Sequence, residues 1–123
     1  MLRIVGLQRS EIASEEFVLL QNQGSLRIKL RGFTLLSESA LASGALNGPV
    51  HVFTEDVPIP AGCFVHLCTG SGTPHWTRSR DGARVFRVYM GRRSAVWTRH
   101  QGPLHLLWPQ HTYAERAEAL LMR

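Results

Sequence analysis

Lysine is almost missing from this chain: there is one, Lys29, against 13 arginines, and only nine residues are acidic. The forked guanidinium suits phosphate or carboxylate recognition, but a GC-rich coding sequence is the simpler source of the bias. Cysteine is nearly as scarce. Cys63 and Cys68 are too few for a disulfide-stapled scaffold. Five positions apart on one strand, their Cα atoms would stand roughly 16 Å from each other, well beyond the roughly 7 Å that a bridge allows. They read as separate thiols on opposite faces, which fits a reducing compartment. No apolar run approaches the roughly 20 residues of a membrane-spanning helix. Met1 to Ser10 has one early arginine and no sustained apolar core, so it does not read as a secretion signal, and the cytoplasm is the favoured location. What remains, 44% hydrophobic and 19% charged over 123 residues, is enough for one domain with its own core and argues against disorder.

Helix-forming stretches are also rare. Leu2 to Gln8 and Phe17 to Asn22 read as strands, with Arg9 to Glu16 connecting them. Leu26, Ile28 and Leu30 alternate with Arg27, Lys29 and Arg31, the period of a half-exposed strand. Gly32 marks a kink before Phe33 to Leu36. Ser37 to Pro49 is small and polar and reads as a loop rather than a helix. Val50 to Thr54 is a strand. Pro58 and Pro60 make a rigid turn into the strand Cys63 to Thr69, which Gly70-Ser71-Gly72 ends. Thr73 to Gly82 reads as a loop carrying Trp76, followed by a strand over Ala83 to Tyr89 and another over Leu104 to Trp108. Thr112 to Ala114 is the expected last strand. Glu115 to Arg123 has helix formers but is taken as strand running into tail. Such a series of short strands separated by Gly and Pro turns predicts an all-β sandwich or barrel of about eight or nine strands.

Several of these pieces, in order, resemble the lamin tail domain. Glu16 to Asn22 (EFVLLQN) resembles its E-(Y/F)-V-x-L-x-N strand, and Leu30 to Leu35 (LRGFTL) its L-x-G-W-T-L segment, with Phe33 for the usual tryptophan. Ile59 to Leu67 (IPAGCFVHL) resembles its L-x-P-G-x-(Y/F)-V-x-L turn and strand, and Thr69 to Gly72 the glycine loop of bacterial members. Tyr89-Met90-Gly91 and Ala95-Val96-Trp97 stand where the family has W-G and x-V-W-N. The departures are Leu19 at a commonly acidic position, Thr98 to Gln101 after the V-W pair, and Trp108 to His111 in place of a D-x-x-G turn. The resemblance implies an immunoglobulin-like β-sandwich over residues 1–123. It also implies a non-catalytic module that works by binding or scaffolding, without a cofactor.

The residues themselves offer little catalytic chemistry. The six histidines form no H-x-x-x-H pair and neither cysteine a C-x-x-C, so metal binding is not expected. Ser71 lies between glycines without the setting of a nucleophile elbow. Gly70 to Thr73 lacks the lysine of a phosphate loop, so these are turn glycines and an enzyme is not expected. Two surfaces remain. Phe17, Leu19 and Leu36 fall on strand faces opposite the expected core and form a candidate apolar contact with a protein, self or other. Their alternative role is a second buried layer under residues 37–49. Arg78, Arg80, Arg84, Arg87, Arg92, Arg93 and Arg99 oppose Asp81 alone, a local charge of +6 in a chain of +5. With Trp76, Phe86, Tyr89 and Trp97 interleaved, they are the candidate nucleic-acid contacts. A charged edge strand that resists aggregation is the simpler reading. The third expectation is an accessory or carbohydrate-binding domain of a larger secreted or surface protein, on fold analogy alone.

Overall fold

Alternation decides the central strands. In the computed structural model, which describes residues 1–44 and 48–109, β1 (Leu2–Gln8) and β2 (Phe17–Asn22) have the bounds the sequence predicts. On β2, Val18, Leu20 and Asn22 are buried, while Phe17, Leu19 and Gln21 face outward and are half-buried. β1 pairs antiparallel with β2, with a bulge between Ile4 and Gly6 that leaves Val5 exposed.

β3 (Ile28–Lys29) is much shorter than the expected strand, because its only partner is β6 (Pro58–Ile59). Pro58 and Pro60 have no amide to extend the ladder. Leu30 still joins the core, whereas Leu26 is 78% exposed. Gly32 takes φ +93° and turns the chain into β4 (Thr34–Leu36). Where a loop was expected, α1 (Glu38–Ala42) forms one helical turn, its Ser37 hydroxyl accepting the Ala40 amide at 3.1 Å. β5 (Val50–Val52) and β10 (His105–Leu107) flank β4 in a three-stranded sheet.

β7 (Phe64–Cys68) continues the first sheet. The loop expected over residues 73–82 contains instead an edge strand, β8 (His75–Arg78), which pairs with β9 (Arg84–Tyr89). The order is β1-β2-β7-β9-β8, with β7 and β9 parallel. The sheets form an all-β sandwich, with ten strands among the described residues. Its core is built from Val18, Leu20, Val65, Leu67, Phe86 and Val88 on one side and Leu30, Phe33, Leu35, Phe53 and Ile59 on the other, closed by fully buried Trp97. Cys63 belongs to this core. Cys68 lies outside it, its thiol directed at the Ala13 and Ser14 carbonyls, and both cysteines are free. The strand expected at Thr112 to Ala114 and the tail from Glu115 to Arg123 lie outside the described residues.

Two buried polar side chains tie the strands to their connections. Asn22 uses its whole hydrogen-bonding capacity. Its Nδ2 donates to the carbonyls of Leu26 and Ile59, both at 2.9 Å. Its Oδ1 accepts from the Gly24 amide at 3.0 Å and the Met1 amino group at 3.1 Å. Glu16, also fully buried, faces residues 96–98. Its Oε1 accepts from the Thr69 hydroxyl (2.7 Å) and the amides of Val96 (2.8 Å) and Trp97 (3.0 Å), and its Oε2 from the amide of Thr98 (2.9 Å). Burial, the largest influence, pushes the carboxyl pKa up. The donors on Trp97, Val96, Thr69 and Thr98 together outweigh it and hold the group below the ordinary glutamate range.

Candidate functional site

Strand register builds one face directly. Leu19 stands opposite His66, His66 beside Arg87, and Arg87 opposite His75, so one row crosses β2, β7, β9 and β8. A second row runs Gln21, Phe64, Val85, Thr77. All these residues project away from the sandwich core, because their sequence neighbours Leu20, Val65, Leu67 and Phe86 fill it. Phe17 stacks on the His66 imidazole, with ring centroids 4.4 Å apart and planes inclined at 26°.

At its β8–β9 end this face is walled by the turn Ser79–Ala83. The Ser79 amide donates to the Ala83 carbonyl (2.9 Å), the Gly82 amide to the Ser79 carbonyl (3.0 Å), and the Ser79 hydroxyl to the Asp81 carboxylate. Arg78 adds a bond to the Gly82 carbonyl at 3.1 Å. Between this turn and the aromatic rings lies a groove of about 480 Å³, apolar at Phe17, Leu19 and Phe64 and cationic at Arg78 and Arg87, with the Asp81 carboxylate bonded to Ser79 in the wall. Burial first, and then the Arg87 guanidinium, holds the His66 pKa below the ordinary histidine range. At neutral pH the imidazole is therefore an uncharged, stacking surface.

The expected apolar trio thus separates. Phe17 and Leu19 meet in the groove, but Leu36 does not. It lies in the other sheet on β4, under α1, and is 5% exposed. The buried-layer alternative holds for Leu36, which pairs with Val50 and His105 in that sheet. Phe64, His66 and Val85 complete the face. The signal that would have placed them is their odd spacing from Val65, Leu67 and Phe86 on the same strands.

The arginines separate as well. Arg78, Arg80, Arg84 and Arg87 lie on the β8–β9 hairpin, where Arg84 covers the Trp76 ring at 4.6 Å from its centroid. Arg92, Arg93 and Arg99 lie beyond the other end of β9, which rises about 20 Å over its length. There they line a second, open concavity of about 540 Å³. Of the aromatics that interleave with them in sequence, Phe86 and Trp97 are buried and Trp76 packs on Phe86. Among the described residues Lys29 pairs with Asp56 at 3.9 Å and His105 Nε2 hydrogen-bonds the Glu38 carboxylate at 2.5 Å, and neither contact uses an arginine.

The glycine loop is a packing feature. The Gly70 amide donates to the Ala13 carbonyl at 3.1 Å, and a Cβ on Gly72 would sit 2.5 Å from the Tyr89 ring. Ser71 is exposed. Among the described residues, no three His, Cys, Asp or Glu side chains gather as metal ligands, and no helix is long and apolar enough to cross a membrane. No family model, curated protein or solved structure matches the chain.

Proposed function

We propose that the protein is a non-catalytic, immunoglobulin-like binding module of the lamin tail type, and that the outer face of its five-stranded sheet engages a protein segment. The observation that carries this reading is the Phe17–Leu19–Phe64 groove with Arg78 and Arg87 along it. Apolar and cationic groups side by side suit a partner that presents an apolar side chain next to a carboxylate. Support for the lamin tail reading comes from Glu16 and Asn22, the two polar letters of the stretch that carries the resemblance. Both are fully buried and fully bonded, which is what a fold-defining motif requires.

Selection from a displayed random-peptide library tests the reading. Peptides that pair acidic with Leu, Ile or aromatic residues are expected to be enriched on the wild-type protein and lost on Leu19→Glu and on Arg87→Glu. Lack of enrichment, or enrichment that ignores both substitutions, would sink it.

A further inference from the structure

We propose that Arg92, Arg93 and Arg99 form a second binding site, separate from the groove, which holds the phosphate backbone of a nucleic acid without reading its bases. All three arginines line one open concavity with His100, Gly48 and Pro49, and among the described residues no carboxylate shares that lining. Their side chains are exposed and, among the described residues, none has an acidic partner.

What makes this more than a run of charge is the backbone beneath it. Residues 90–102 contain only the single helical turn Trp97–Arg99, yet the segment is held along its length. The amides of Met90, Gly91 and Arg92 donate to the carbonyls of Cys68 (2.8 Å), Gly70 (3.0 Å) and Thr69 (2.9 Å). Glu16 accepts the amides of residues 96–98. The Arg9 guanidinium donates to the carbonyls of Trp97 (3.1 Å), His100 (3.1 Å) and Gly102 (2.6 Å). Three guanidinium groups are thereby carried on a fixed platform, so a bound phosphate does not have to order the main chain. Forked donors match phosphate oxygens, and like charges kept together without acids concentrate a positive field. That field reaches a neighbour. His51 is shifted below the ordinary histidine range by burial, and the Arg92 charge adds to this against the opposing pull of Glu55.

The lining also selects among phosphate ligands. Among the described residues, no Phe, Tyr or Trp lines the concavity, so none of them stacks a base there. It is open and cationic, suited to a backbone that crosses it rather than to an enclosed nucleotide. The tryptophan that neighbours these arginines in sequence, Trp97, is fully buried and takes no part.

Fluorescence anisotropy with a labelled single-stranded oligonucleotide of mixed sequence tests this. Three phosphate contacts predict a log–log salt slope of about −2, an affinity loss of about twentyfold between about 50 and about 200 mM salt. The Arg92→Ala/Arg93→Ala/Arg99→Ala variant should lose the binding and the slope while keeping the wild-type melting temperature. The Arg27→Ala/Arg31→Ala/Arg80→Ala variant, equal in net charge, should keep both. Equal weakening in the two variants would overturn the proposal, since diffuse charge then suffices. Displacement of the oligonucleotide by inorganic phosphate at matched ionic strength would overturn it in favour of a small phosphorylated ligand. Neither result bears on the Leu19 and Arg87 test of the groove.

Discussion

Trp97 is gripped from both sides of its peptide backbone: Glu16 accepts its amide at 3.0 Å, and Arg9 donates to its carbonyl at 3.1 Å. One acid and one base, seven residues apart in the connection after β1, fix a segment that has no sheet to belong to. Glu16→Gln presents an amide to a pocket of donors and is expected to destabilise the protein by about 3 kcal/mol. Its pH signature is specific. The folded pKa lies below the unfolded one, so the contribution is present above about pH 4.3 and is lost as pH falls through the folded value. Urea melts at pH 7 and pH 3.5 should therefore differ more for wild type than for Glu16→Gln. Equal differences would remove the assignment.

Asn22 gives a prediction of rank order. Asn22→Ala leaves the Leu26 and Ile59 carbonyls without their donor, at a cost of about 2 kcal/mol. Asn22→Asp keeps the shape but turns a carboxylate oxygen towards those same carbonyls, and at pH 7 it should be the less stable of the two. Thermal melts of both variants check the order.

Tyr89 lies over Gly72 so closely that an added Cβ would come within 2.5 Å of its ring, and the same ring stacks on His75 at 6.3 Å. Gly72→Ala is expected to cost about 1–2 kcal/mol through overpacking. Tyr89→Ser in the same chain should recover much of that loss, because the two positions share one contact. Additive losses in the double-mutant cycle would count against the packing role given to the loop.

The imidazole of His66 should stay neutral at pH values where an exposed histidine is largely charged, because burial and Arg87 both disfavour its cation. With the folded pKa below the unfolded one, its contribution is complete above about pH 6.5 and declines as pH falls from there. A long-range nitrogen–proton NMR titration reads this directly. A midpoint for His66 at or above about 6.5, the value of an unperturbed histidine, would show the prediction to be wrong.

β1 and β2 were legible because strict alternation and clear turns bound them, and a single buried face enforces that pattern. The run Leu26 to Arg31 has the same alternation, but its partner strand contains prolines and only Ile28 and Lys29 find a ladder. β8 was hidden because an edge strand with His75, Thr77 and Arg78 carries no apolar period, and only its pairing with β9 reveals it. α1 is a single turn, too short to leave a periodic trace. The groove was half legible. Odd-numbered positions on β2 and even-numbered positions on β7 could be assigned to the outer face, but which strands lie side by side is a matter of topology. The parallel neighbourship of β7 and β9, with β8 outside them, is what brings Arg87 to Phe17 and Leu19.

The grip on Trp97 has a consequence for how the protein is made. Arg9 and Glu16 are translated early, but their partners lie 80 to 93 residues further along the chain. Until residues 96–102 leave the ribosome, the Glu16 carboxylate has no backbone amides to accept there and keeps its water. The β1–β2 hairpin can form before then, whereas the sandwich cannot close. Completion of the fold waits on this short segment and on β10, which follows it and pairs with β4.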